Sequence, residues 1–269
     1  MKKQFKLGVI GCSFFSNAIL RGVVLSDLIR EKKIIVSDEN EDMLDNLDYL
    51  GVRTTTDNKF VAENSEFVLF AVKPNKFEAI SKDLEGIRPE KVISIMEYFT
   101  KNAIKNALGV GLIKVARAVL NTPSNIGSGI IGIDMIDFNK SADDCDFISE
   151  VFGSLGTVVS LEESKLNAVY GLSGCGPAYT FMFIDALVNA GVKQGLTKSE
   201  AKILAVQTLL GSAEMVQREE NTLEELTMLA CNKGGAAVEA VKILEEKDFS
   251  GAVSTAVEAC VKRAKEQTK

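Results

Sequence analysis

The chain has 269 residues, 46% of them apolar and 25% charged, with a net charge of −6 and a pI near 5.0. That is a globular balance, with enough chain for one large or two modest cores. The acidic excess and the lack of any dense Lys/Arg cluster argue against nucleic-acid or anionic-membrane partners, and no apolar run reaches the ~18 residues of a membrane span.

Histidine is absent, which removes His-based triads, His acid–base work and the commonest metal ligand. Cys12, Cys145, Cys175, Cys231 and Cys260 are scattered, with no C-x-x-C pair. They are expected to be buried reduced thiols, with no metal site. The start "MKKQFKLGVIGC" has the basic-then-apolar order of a signal peptide, but Ser13 interrupts the apolar run; a cytoplasmic protein is expected.

In chain order, "FKLGVI" reads as a strand, followed by the helical "NAILRGVVLSDLI" and then "KIIVSD". The strand-like runs "FVLFAVKP", "KVISIM", "IKVARAV", "GIIGID" and "GTVVSL" follow, with polar helical stretches between. Strands separated by crossover helices predict a parallel sheet. Their apolar runs lack clean alternation, as strands covered on both faces do. A doubly wound α/β domain over residues 1–160 is the economical architecture. After Leu161 strand signals vanish. Residues 161–269 read as all-helical, and the Ala178–Val192 stretch is apolar on more than one face, which suggests burial against a partner subunit.

"VIGCSFFSNAIL" lies where a dinucleotide-binding protein carries Gly-x-Gly-x-x-Gly, between the first strand and first helix. Only Gly11 is glycine; Ser13 and Ser16 hold the other two positions. Gly11 retains the tight turn, and the Ser13 hydroxyl can donate to a phosphate although its Cβ takes up space. A structural turn that no longer binds phosphate is the competing reading. At the end of the second strand, Asp38 in "VSDEN" is placed to bond ribose hydroxyls and to repel a 2′-phosphate, favouring NADH over NADPH. A solvated strand-end acid is equally compatible.

Several stretches together resemble pyrroline-5-carboxylate reductase. They are "LGVIGCSFFSNAILRG", "FAVKPNKF", "ARAVLNTPSNIGSG", "AVYGLSGCGPAYTFMFIDALVNAGVKQGL", "LLGSAEMV" and "NKGGAAVEAVKILEEKDFSGAVSTAVEAC". The resemblance implies a Rossmann domain followed by a helical dimerisation domain. It also implies reduction of a cyclic imine acid to proline by NADPH or NADH. Hydride would pass to a protonated imine, which needs no strong general acid. The implied assembly is a homodimer or a higher oligomer, with the site completed by the helical domain of a neighbouring subunit.

Residue by residue, the resemblance implies cofactor contacts at Gly11, Cys12, Ser13, Phe14 and Phe15 in the turn, and at Asn58 on the adenosine side. It implies others near the nicotinamide at Val72, Lys73 and Pro74, and at Asn121 in "RAVLNTP". Met96, Glu97 and Tyr98 replace a small Ala-Ala-Gly triplet; a carboxylate and a phenol there are expected to fill ring space. On the substrate side, Asn232, Lys233, Gly234, Gly235, Ala236 and Ala237 match a loop whose amides hold the carboxylate. Ala237 lacks that loop's threonine hydroxyl, and Lys233 adds a charge. Glu220 matches a glutamate near the imine ring, and Tyr170 stands where a threonine is common, its hydroxyl available for a proton or hydrogen bond. These departures leave two alternatives open: a relative that has lost the cofactor and acts as a binding or regulatory protein, or a reductase for a different cyclic imine.

Overall fold

The computed structural model of the chain describes residues 3–109, 112–218, 220–232 and 234–269. The strands are β1 (Phe5–Ile10), β2 (Ile34–Ser37), β3 (Arg53–Thr55), β4 (Ser65–Phe70), β5 (Lys91–Ser94), β6 (Lys114–Val119), β7 (Gly129–Asp134) and β8 (Gly156–Ser160). Among them run α1 (Phe14–Leu25), α2 (Glu41–Asp45), α3 (Asn58–Asn64), α4 (Pro74–Asp83), α5 (Lys101–Ala107) and α6 (Ala142–Gly153). After β8 come α7 (Leu166–Val169), α8 (Gly176–Lys193), α9 (Lys198–Arg218), α10 (Leu223–Ala230), α11 (Ala236–Glu246) and α12 (Phe249–Gln267).

The strands form one sheet in the order β3-β2-β1-β4-β5-β6-β7-β8. The first six follow the doubly wound order that opens a ligand crevice where connections diverge, between β1 and β4. As expected from the unbroken apolar runs, both faces are covered. Leu7, Val9, Phe67 and Leu69 face one core with Ile19 and Val23 of α1 and Ile148 and Phe152 of α6. Ile10, Val68 and Phe70 face a second core with Val61 of α3, Phe77 of α4 and Ile104 of α5.

Two strand features differ from the expectation. β3, of sequence "RTT", carries no apolar signal and was not anticipated. The sheet is also not parallel throughout, because β7 pairs antiparallel with β6. The connection over residues 120–128 holds only the 3₁₀ turn Thr122–Ile126, too short for the dozen or more residues of a parallel crossover. Register gives the reversal a purpose. Asp134, which ends β7, lies opposite Arg117, and Arg117 lies opposite Ser94, which ends β5. β8 runs parallel to β7, so the last two strands finish level with the carboxyl ends of the central ones.

The chain divides into two compact units, residues 1–175 with 260–269, and residues 176–259. Residues 161–175 and the end of α12 therefore pack with the sheet, although their helical pattern groups them by sequence with the second half. In the second unit, Val188, Ala201 and Ala205 are the buried apolar side chains among the described residues, with Ile184 and Leu187 against them. None of the five cysteines forms a disulfide; Cys12 is buried and the other four are half-buried, more exposed than expected.

Candidate functional site

β1 ends beside the crevice and the chain turns sharply at Gly11, where φ is +102°. A Cβ at this position would lie 2.5 Å from Val72 Cγ1 and 3.0 Å from the Ala71 backbone, so the turn requires glycine. Ser13 needs none: its backbone is extended, φ −128° and ψ 169°, and it caps α1. The Ser13 N–H donates to Ser16 Oγ at 2.7 Å and the Ser16 N–H to Ser13 Oγ at 3.2 Å, a reciprocal capping box. The Gly11 N–H donates to the Ser37 carbonyl at 2.8 Å, and the Cys12 N–H to Asp38 Oδ2 at 2.7 Å. That leaves the N–H groups of Phe14 and Phe15, the first two of α1, without acceptors among the described residues. They sit at the positive end of a 12-residue helix and are available to an anion. Burial raises the pKa of the Cys12 thiol, and the Asp38 charge adds to it.

Beside the turn lies a cleft of about 330 Å³ lined by Asp38, Asn58, Val72 and Lys76 among others. Asp38 accepts the Cys12 N–H on one oxygen and the Asn40 N–H, at 3.0 Å, on the other. Each oxygen keeps a lone pair. Asn58 Oδ1 accepts from the Ser37 hydroxyl at 2.7 Å, which leaves its NH₂ group as a donor. Lys76, one turn into α4, is paired with Glu39. Val72 is half-buried, Lys73 is exposed at the N-cap of α4, and Pro74 is its first residue. A turn that one Cβ would block, two free helix amides and an acceptor–donor pair in the adjoining cleft fit a dinucleotide.

The other end is built from the exit of β5. Met96 is buried and Glu97 is exposed, so the carboxylate does not occupy the interior. Tyr98 has left-handed backbone, φ +64°. Its hydroxyl lies 2.7 Å from that of Tyr170, with the rings edge to face at 5.4 Å. Tyr170 opens a turn of π-helix, Tyr170–Gly174. Its pKa is raised by burial, by the hydrogen bond with Tyr98 and by the Glu97 charge, so it stays protonated at neutral pH. A cavity of about 30 Å³, the size of a water molecule, is lined by Phe15, Met96, Glu97, Tyr98, Arg117 and Tyr170 among others. Asn121 is buried; its Oδ1 accepts the Ile130 N–H at 3.0 Å and so braces the entry to β7.

The structure thus brings Gly11, Cys12, Ser13, Asp38, Asn58 and Val72 together at one end of the crevice, and Phe15, Met96, Glu97 and Tyr170 at the other. Sequence reasoning set the Tyr98 phenol in the ring space without giving it a partner, and did not place Lys76 among the site residues. A tyrosine at a glycine-favoured backbone position was the signal for the first; the i+3 step from Lys73 on α4 was the signal for the second.

In the second unit, Glu220 is exposed ahead of α10, and Asn232, Gly234 and Gly235 join α10 to α11. Gly234 has φ +76°, and the Gly235 N–H donates to the Asn232 carbonyl at 2.8 Å. Gly235 caps α11 without a side-chain bond, and the N–H groups of Ala236 and Ala237 find no acceptor among the described residues. Lys233 lies outside the described residues.

Comparison with known proteins adds two family models: "Pyrroline-5-carboxylate reductase dimerisation" over residues 163–267, and "NADP oxidoreductase coenzyme F420-dependent" over residues 6–98. The solved pyrroline-5-carboxylate reductase of Coxiella burnetii superposes with a TM-score of 0.89 at 30% identity, covering 100% of both chains. The pyrroline carboxylate reductase of Plasmodium falciparum, solved with NADP bound, gives 0.87 at 25% identity, again over 100% of both chains. Sequence identity to the pyrroline-5-carboxylate reductase of Synechocystis is 33%, over 98% of each chain. To that of Aquifex aeolicus it is 32%, over 98% of this chain and 96% of the relative. A turn and crevice built for a dinucleotide thus occur in a chain that matches these reductases from end to end, and the chain belongs to the pyrroline-5-carboxylate reductase family.

Proposed function

We propose that the protein reduces 1-pyrroline-5-carboxylate to L-proline with NADH or NADPH. The observation that carries this reading is the Gly11 turn, closed to any side chain, with the Phe14 and Phe15 N–H groups left free beside the Asp38 cleft. The full-length similarity to pyrroline-5-carboxylate reductases supports it.

Bound NAD(P)H supplies the hydride for the imine carbon. The Phe14 and Phe15 amides, with the turn Gly11–Cys12–Ser13, hold the pyrophosphate. Asp38 accepts from ribose hydroxyls and Asn58 donates on the adenosine side. Met96, Glu97 and Asn121 are assigned to the ring end, and Val72, with Lys73 and Pro74 after it, to the cleft that also holds Asp38 and Asn58. Tyr170, kept protonated, presents its hydroxyl oxygen to the iminium N–H, which donates to it. The iminium is already electrophilic, so these groups orient and shield rather than force a proton transfer. The substrate carboxylate is assigned to the amides at Gly234, Gly235, Ala236 and Ala237 with Asn232 and Lys233, and Glu220 to the cationic ring. The second unit, apolar on its exposed surface, pairs with its counterpart in a homodimer that can assemble further.

The test is to follow oxidation of NADH and of NADPH with pyrroline-5-carboxylate and to quantify proline. Turnover with either coenzyme is expected. Purified protein that binds neither nucleotide and forms no proline rejects the reading.

A further inference from the structure

Tyr98 is held in a conformation that its own backbone disfavours. Among the described non-glycine residues, Asp27 and Asp248 are the other positions with positive φ. Both are aspartates, whose short polar side chain tolerates this region better than an aromatic ring does. Two sets of contacts fix the tyrosine there. On the backbone side, the Lys269 N–H donates to the Tyr98 carbonyl at 2.8 Å, and the Lys269 carbonyl accepts from the Thr100 N–H at 3.1 Å and the Thr100 hydroxyl at 2.9 Å. On the side-chain side, the phenol meets the Tyr170 hydroxyl at 2.7 Å. Backbone strain persists only where its surroundings over-determine it, and it gathers at working sites.

The Tyr170 hydroxyl has a second possible partner, Glu97 Oε1, at 3.5 Å. That contact is too long to fix a rotor. An isolated phenol O–H turns freely about its C–O bond, and Glu97 would draw it outward, since this carboxylate is exposed. The short bond to Tyr98 removes that freedom. It commits one site on the Tyr170 oxygen and leaves the rest in a fixed direction.

We propose that Tyr98 is a positioning residue: its hydroxyl holds the Tyr170 hydroxyl in the orientation that receives the imine nitrogen of the substrate. The inference rests on the role of Tyr170 given above. It involves no covalent step; Tyr98 acts through Tyr170 alone, by reducing the number of orientations from which a productive complex must be selected.

The experiment uses the full chain and four variants: Y98F, Y98G, Y170F and Y98F/Y170F. Y98F keeps the ring and loses the hydroxyl, while Y98G suits the left-handed backbone and removes the phenol altogether. Both are expected to lower kcat about tenfold, with the KM for the imine and the Kd for NADH each within about twofold of wild type. The double variant is expected to be no slower than Y170F, because two residues acting through one hydroxyl are not additive. Wild-type kcat in either Tyr98 variant overturns the proposal, as does a full further loss when Y98F is added to Y170F. Y170F at the wild-type rate removes the assigned role of Tyr170 and this inference together. Wild-type protein inert towards both coenzymes rejects the parent reading itself, an outcome seen before any variant is made.

Discussion

At the scale of single residues, Asp38 decides most. Its two oxygens already accept the Cys12 and Asn40 amides, so the charge is fixed at the mouth of the cleft, followed by Glu39, Glu41 and Asp42. A 2′-phosphate brought there meets like charge, and Lys76, the nearby cation, is taken up by Glu39. The coenzyme preference is therefore expected to favour NADH. Asp38→Ser should shift the ratio of kcat/KM for NADPH over NADH upward by about tenfold, the size of one like-charge contact near a surface. An unchanged ratio in steady-state assays would show that the acid does not face the ribose. Asp38 and Gly11 were legible in the sequence because a strand end and a φ-positive turn restrict residue type so sharply. Tyr98 was visible as an oddity, but its partner was not: a hydroxyl pair 72 positions apart leaves no local pattern.

At the scale of elements, the N-terminus of α1 shows how a serine serves where glycine was anticipated. The spacing Ser13–Ser16 reads as a degraded glycine motif, yet in the structure it is a capping box that consumes two amides otherwise open to a phosphate. The residue types were right and the inference from them incomplete, because a side-chain cap and a phosphate cradle draw on the same donors. Ser13→Ala should cost about 1 kcal/mol of stability, whereas Ser13→Gly should cost only a few tenths. Thermal unfolding of the two variants separates a cap from a phosphate ligand: if Ser13 mainly served phosphate, both would leave the apo protein unchanged. The alternation of strand and helix exposed seven of the eight strands. β3 escaped because a three-residue edge strand of polar type has no periodicity to read.

At the scale of the whole molecule, two consequences are measurable. The second unit buries few apolar side chains within itself, while Phe181, Met182, Ile203, Leu204 and Met228 are each more than half exposed. Stability of a unit so built depends on association, so the midpoint of thermal unfolding should fall as the protein is diluted. Met182→Glu should shift sedimentation towards monomer. A midpoint independent of concentration would contradict this. The second consequence concerns acid. Burial alone would raise the pKa values of Asp137 and Asp144. For Asp137, hydrogen bonds from Lys105 and the Val115 amide, with the charges of Lys101 and Lys105, outweigh it; for Asp144, those from Lys91 and Ser141 do. Both carboxyls are held below their ordinary range, so their contribution to stability is complete above about pH 4 and is lost as pH falls through the folded values. Asp144→Asn should flatten that part of the pH–stability curve, and a curve as steep as that of wild type would assign the acid sensitivity elsewhere.

The reversal at β7 joins these scales. Side chains alternate along a strand, so a slip of one residue in the β6–β7 pairing would turn Asp134 away from Lys101, which it meets at 2.5 Å deep in the protein. It would also carry the segment leading to Tyr170 off its landing point. The β1 turn is held by Ser37 and Asp38 of the neighbouring strand, but α1, which leads from it, packs on the Thr122–Ile126 turn, where Arg21 donates to the Asn125 carbonyl. An insertion among residues 120–128 should therefore raise the Kd for NADH and lower kcat together, because Asn121 and the seat of α1 lie in the same short stretch: one misplaced link of chain reaches both the grip and the chemistry.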